Sequence, residues 1–254
     1  MAVSPKPPKK ETKSKGRVAK GSTSLSRSVK DEERLRRDIL IEHSVDYLYG
    51  NNGEYSLPEE DVRTIASMVS VIREDFPEIG LVKVWGADAQ MMNDYYPEGW
   101  DGVAGLADYE SNGIVICKDH LRENGNWHMK DTAAHETGHL AYAALCKRFG
   151  EKGLDDWNRA TIMNDRKSAW EQDTTAHRIV RNALSSLRES HPLLAFKSDE
   201  QIIQRYLGNY ALTNPNETIA VSFAHKYYKS TTGTMREPLS EAIVRELRKE
   251  LNKR

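Results

Sequence analysis

The segment Ala133-Ala134-His135-Glu136-Thr137-Gly138-His139-Leu140-Ala141-Tyr142 sets two histidines four residues apart, with a glutamate directly after the first. An α-helix advances about 400° over four residues, so a helical backbone projects His135 and His139 from one face about one turn apart. Imidazoles so spaced can reach one zinc ion with bonds of about 2.0–2.1 Å. Glu136 lies about 100° round the helix, beside such an ion. There a carboxylate can take a proton from metal-activated water and hand it to a leaving amine. The small residues Ala134, Gly138 and Ala141 allow other elements to approach this helix closely.

Two histidines leave a zinc site incomplete, so a third ligand is required. To supply it nearby, the same segment would need Gly at position 142 and His at position 145, where Tyr142 and Leu145 stand. Cys146 shares the face of His139 but lies about 10 Å further along the axis, which makes it a small buried hydrophobe and not a ligand. Downstream, Thr213-Asn214-Pro215-Asn216-Glu217-Thr218-Ile219-Ala220-Val221-Ser222-Phe223-Ala224 reads as a capped helix begun by Pro215, with Glu217 in its first turn. Ala220, Val221, Ala224 and Tyr228 share the face of Glu217, and the small residues could bring that helix against Ala134, Gly138 and Ala141. Glu217 is therefore the expected third ligand. The alternative is an exposed acid favoured by the helix dipole. Asp165, Asp173, His177, His191 and His225 have no comparable surroundings.

The elements that must position these groups follow from periodicity. Leu35, Ile39, Leu40, His43 and Tyr47 predict a helix stopped by Gly50-Asn51-Asn52-Gly53. Ser56 and Glu59 form a capping-box pattern before a second helix, whose stripe is Val62, Ile65, Met68, Val69 and Ile72. Leu81 to Trp85 alternates like a strand, and Ala104–Tyr109 and Ile114–Cys117 flank the hairpin signal Ser111-Asn112-Gly113. Helical patterns then run from Trp127 to Phe149, from Leu154 to Leu187, after Ser198, from Pro215, and along Leu239, Ile243, Val244, Leu247 and Leu251. The expected fold class is α+β: mainly helical, with a small sheet, mixed or antiparallel, over 81–118 packed on the His135 helix. Ile39, Ile65, Val69 and Ile72 are its expected N-terminal core.

Composition bounds the rest. The chain has 254 residues, 38% hydrophobic and 30% charged, which fits one ordinary domain. Its net charge of −1 excludes binding driven by overall charge. Residues 1–30 hold nine Lys or Arg against Glu11 alone, while residues 31–254 hold 28 bases against 37 acids. The first segment reads as a disordered basic tail, either an arm for nucleic acid or another anionic partner or a solubilising, cleavable extension. The remainder divides into N-terminal helices and sheet over 31–125 and an active-site helix with a helical lobe over 126–254. Only Cys117 and Cys146 occur, so a disulfide framework is not expected and a reducing compartment is. No apolar run approaches a membrane span and the start lacks a signal-peptide core, so a cytoplasmic location and no membrane partner are expected.

Taken together, His-Glu-x-x-His at 135–139 and Asn-Pro-x-Glu-x-x-Ala-x-x-Phe-Ala at 214–224 resemble the gluzincin type of zinc metallopeptidase. More closely they resemble the zincin-like domains of bacteriophage head or virion proteins and mobile elements. The resemblance covers 133–149 and 206–228. It implies a zincin-like fold, one zinc per chain held by His135, His139 and Glu217, and Glu136 as general base. It further implies a strand near Ile114–Cys117 that pairs with an extended peptide, and hence hydrolysis of peptide or protein substrates. A donor for the oxyanion is also needed: Tyr210 is the first candidate, with Tyr142, His225 and Tyr228 behind it. One departure stands out. Such families carry a second carboxylate four residues after the ligand Glu, where this chain has Val221. Either another group such as Asp173 substitutes, or the site is weakened. The alternative functions are therefore a catalytically weak or inactive structural protein of a phage virion, with a DNA- or partner-binding tail, and a secreted or injected effector protease.

Overall fold

The computed structural model describes residues 27–50, 53–88, 90–92, 104–118, 129–163, 165–228 and 238–253. The basic tail lies outside the described residues up to position 26. The folded body begins earlier than residue 31: Ser28 caps the first helix, Val29–His43 (α1), by accepting the Asp31 N–H. Arg27 before it pairs with the buried Glu32 at 3.1 Å.

Helix α1 ends sooner than its spacing predicts. Ser44 turns left-handed (φ 51°) and returns its N–H to Leu40, and Val45–Tyr47 becomes a strand, β1. Val45 and Tyr47 are buried while Asp46 turns outward to Arg36 at 2.8 Å, so the period here is two and not 3.6. The second helix, Glu59–Asp75 (α2), buries Val62, Ile65, Met68, Val69 and Ile72 as expected. Its N-cap is Pro58 without a side-chain bond. Ser56 donates instead to Glu32, at 2.8 Å, so the capping-box reading does not hold.

Three further strands follow: Val82–Ala87 (β2), Gly105–Asp108 (β3) and Gly113–Cys117 (β4). They form a four-stranded mixed sheet in the order β1-β2-β4-β3. β1 and β4 run parallel to β2, and β3 is antiparallel to β4. The hairpin signal is real, with Asn112 at φ 56° in the turn. However, Ile114–Cys117 is paired on both sides, and β3 lies outside it at one edge of the sheet, with β1 at the other. Alternation splits the sheet into two faces. Val82, Val84, Ala107, Ile114 and Ile116 join the main core with the helices, while Trp85, Ala87, Leu106, Val115 and Cys117 belong to a smaller cluster with Met92.

The remaining described helices are Met129–Lys147 (α3), Glu151–Ala160 (α4), Arg166–Glu171 (α5), Thr175–Ser190 (α6), Asp199–Leu207 (α7), Pro215–Tyr227 (α8) and Pro238–Asn252 (α9). The mainly helical α+β architecture is thus as expected. Helix α3 is central, packed against α8, α2, β3 and β4 and buried along most of its length. No described helix is long and apolar enough to cross a membrane.

The α3–α8 crossing depends on Gly138. A Cβ there would stand 2.9 Å from both Ala220 Cα and Phe223 Cβ. Backbone cannot yield as a side-chain tip can, so Gly138→Val should destabilise the fold by about 1–3 kcal/mol. The check is the urea midpoint at unchanged slope; an unaltered midpoint would mean that the helices do not meet here.

Candidate metal centre

His135 and His139 sit one turn apart on α3, as the spacing requires. Glu217 faces them from the first turn of α8. That turn is built locally: Asn214 accepts the N–H of Glu217 itself at 2.8 Å, Pro215 occupies the first helical position, and the Asn214 amide donates to Ile162 O at 3.3 Å. The cap therefore fixes the backbone of Glu217 and ties it to the loop after α4.

The three side chains converge. Nε2 of His135 and of His139 are 3.2 Å apart, and Glu217 Oε2 lies 3.1 Å from His135 Nε2 while Oε1 lies 3.5 Å from His139 Nε2. Ligands about 2.0–2.1 Å from a tetrahedral ion stand about 3.3–3.4 Å from one another, so the group matches the edges of such a tetrahedron. Glu217 Oε2 is also buried without a completed hydrogen bond, as befits an atom reserved for a cation. His135, His139 and Glu217 are thus close enough to hold one metal ion, and no other such group occurs among the described residues.

Electrostatics agree with the geometry. Burial disfavours the charged form of His139, but the adjoining Glu217 carboxylate outweighs it and raises the imidazole to about 9. Burial would likewise raise Glu217, yet the two imidazoles hold it well below the usual carboxylate range. In the metal-free chain this ion pair contributes fully between the ordinary values of 4.5 and 6.5, and its contribution is lost as pH rises through about 9 or falls into strong acid. An imidazole must shed its proton to bind metal. Apparent zinc affinity should therefore climb about tenfold per pH unit up to about 9 and level off above it. Chelator competition at stepped pH reads this, and an affinity flat between about pH 6 and 8 would contradict it.

Glu136 points from α3 toward the edge strand. A Cβ on Gly105 would stand 2.9 Å from Thr132 Cγ2 and 3.1 Å from the Glu136 Oε1, so a larger residue there would have to displace these side chains. Burial raises the Glu136 carboxyl, the two imidazoles oppose this, Glu217 adds to it, and the Ala107 amide helps hold the charge. In β3, the Cys117 N–H to Ala104 O bond makes residues 104, 106 and 108 the ones bonded to β4. Gly105 and Ala107 consequently direct their backbone groups away from β4, and there the Ala107 amide meets Glu136.

The other candidates separate clearly. Tyr210 is 53% exposed, with its ring 5.8 Å from that of His135, so it does stand at the group. Tyr142 does not serve as a donor there: its hydroxyl donates to Asp156 at 2.6 Å and accepts the Ala176 N–H at 3.2 Å. His225 feels both Asp131 and His135, and burial lowers its pKa. Asp165 caps α5, and His191 ends α6. Asp173 lines a separate depression with His177, Arg178 and Arg181, and so does not replace the carboxylate missing at Val221.

Two neighbours were not foreseen. Asn216 is buried beside His139; their facing polar atoms stop short of hydrogen-bond geometry, yet Asn216 favours the charged imidazole. Its signal was its place, directly before the ligand Glu in a buried first turn. Trp157 of α4 meets His139 edge-on at 6.4 Å and stacks on Tyr142; its sequence signal was only helical spacing. No protein-family model, curated protein or solved structure matches the chain.

Proposed function

We propose that the protein is a zinc-dependent endopeptidase of the gluzincin type with a zincin-like fold. The observation that carries this reading is the meeting of His135, His139 and Glu217 at tetrahedral spacing with Glu136 beside them, free of a ligand role, against the edge strand. Zinc bound by these three residues would supply Lewis acidity at the scissile carbonyl and lower the pKa of a water.

The chain's own groups do the rest. Outward backbone groups of Gly105 and the carbonyl of Ala107, whose amide is taken up by Glu136, suit antiparallel pairing with an extended peptide, which lays its scissile bond along α3. The Glu136 carboxylate accepts the proton of the attacking water and returns it to the leaving amine. Its burial strengthens its basicity for that task. Tyr210, exposed beside His135, is the proposed donor to the developing oxyanion. The buried Asn216 amide beside His139 favours the charged form of its ring.

One observation favours the competing reading of a catalytically silent virion protein. Val221 stands four residues after the ligand Glu, and among the described residues the buried His139 Nδ1 has no hydrogen-bond partner. Metal analysis of the purified protein, run beside hydrolysis of casein and of a peptide library, separates the two. One zinc per chain with cleavage that chelator abolishes and zinc restores supports the enzyme. Stoichiometric zinc with no cleavage of any peptide supports the silent protein.

A further inference from the structure

Beside the metal ligands the fold builds an aromatic surface that the reaction itself does not use. The Trp157 ring lies 6.4 Å from that of His139 at 79°, 5.9 Å from Tyr142 at 24°, and 5.1 Å from Tyr109 at 39°. Tyr142 thus covers one face of the indole, while the residue as a whole remains only half-buried. Tyr109 directly follows the edge strand β3, and Lys147 sits over its ring at 5.0 Å. The three rings join His139, the α4 helix and the end of the peptide-pairing edge in one run.

This surface is held stiffly. The Tyr142 hydroxyl donates to Asp156, whose two carboxylate oxygens accept the Thr175 N–H at 3.0 and 3.2 Å. The Ala176 N–H closes the loop by donating to Tyr142. A buried phenol, a carboxylate and the start of α6 therefore fix the base on which Trp157 rests. A surface ordered in advance binds without the entropy cost of arranging itself. Leu154, one turn before Trp157 on the same helix, is 42% exposed and extends the apolar character outward.

Resting on the endopeptidase reading, we infer that Trp157 and Tyr109 form a specificity subsite for an aromatic or large aliphatic side chain of the substrate next to the scissile bond. A peptide paired with β3 runs toward Tyr109, and a residue adjoining the metal on that side meets the indole. Aromatic and aliphatic side chains gain by covering it. A side chain as small as that of Ala covers little of it and gains correspondingly less.

The test is a cleavage profile of the full-length wild type and of Trp157→Ala and Tyr109→Ala on a peptide library varied around the cleaved bond. The wild type should prefer Phe, Tyr, Leu or Met at one adjoining position. Trp157→Ala should lower kcat/KM for those peptides by about tenfold or more, and change peptides bearing Ala at that position by much less. A profile identical to the wild type, with zinc content intact, overturns the subsite. Trp157→Leu, which keeps apolar bulk over Tyr142, serves if the alanine variant does not fold: it should move the preference from aromatic toward aliphatic side chains, and an unmoved preference overturns the subsite too. A binding arm separates this inference from the enzyme reading. Peptides are titrated into Glu136→Gln, and the Trp157 emission is taken as the difference from the Glu136→Gln, Trp157→Phe protein. An emission change with an apolar peptide but not with its Ala-substituted analogue supports the subsite even where the wild type cleaves nothing. Equal responses to both peptides reject it even where the wild type is active.

Discussion

Glu136→Gln should retain zinc as the wild type does and lose hydrolysis by about 10²- to 10⁴-fold, the range that a positioned general base contributes. The substitution keeps the shape of the side chain, so its close approach to Gly105 survives. A neutral amide is no harder to bury than a carboxylate, and folding stability should not fall. What changes is the proton: an amide cannot accept one from the attacking water. Inductively coupled plasma analysis gives the zinc content and a quenched-fluorophore peptide gives the rate. Near-wild-type cleavage by this variant would remove the mechanism, whatever metal is bound.

Glu217→Gln should act on the metal first. It removes the only carboxylate of the group, and zinc affinity should fall by more than the roughly 10- to 100-fold that residues supporting a ligand typically cost. Activity should fall with it, and excess zinc should restore part of the rate, which it cannot do for Glu136→Gln. The variant also has a signature in the metal-free state. His139 stands at about 9 chiefly because of the Glu217 charge; without that charge burial is opposed only by Glu136 and Asn216, and its pKa should fall well below about 9. Histidine titration by NMR reads the shift. Unchanged zinc affinity would mean that another group supplies the third ligand.

What the sequence disclosed and what it withheld follow from the range of the interactions involved. His135, Glu136 and His139 are positioned by one helix, so their spacing alone states their geometry. Glu217 was also legible, because its cap, its proline start and the small face toward Gly138 are written within a dozen residues. Strand β1 was missed because three residues can read as a helix's last turn, and only pairing with Val82–Val84, far along the chain, makes them a strand. Assigning the edge to Ile114–Cys117 failed for a related reason. A hairpin tells which strands are partners, but only the position of β2 decides which of the two is left outside. Asn216 and Trp157 acquire their roles through tertiary contact with His139, and neither contact has a local pattern.

Glu217 lies 78 positions after His139, and this separation orders events during synthesis. At about 5–20 residues per second, a ribosome needs about 4–16 s to travel from the second histidine to the third ligand. Through that interval the Gly138 face of α3 has no α8 to cover it, and the nascent chain carries a proton acceptor and two imidazoles without their carboxylate partner. The chain emerging from the ribosome is therefore exposed to aggregation during this window. Any peptide-cleaving capacity appears only after most of the polypeptide has been made.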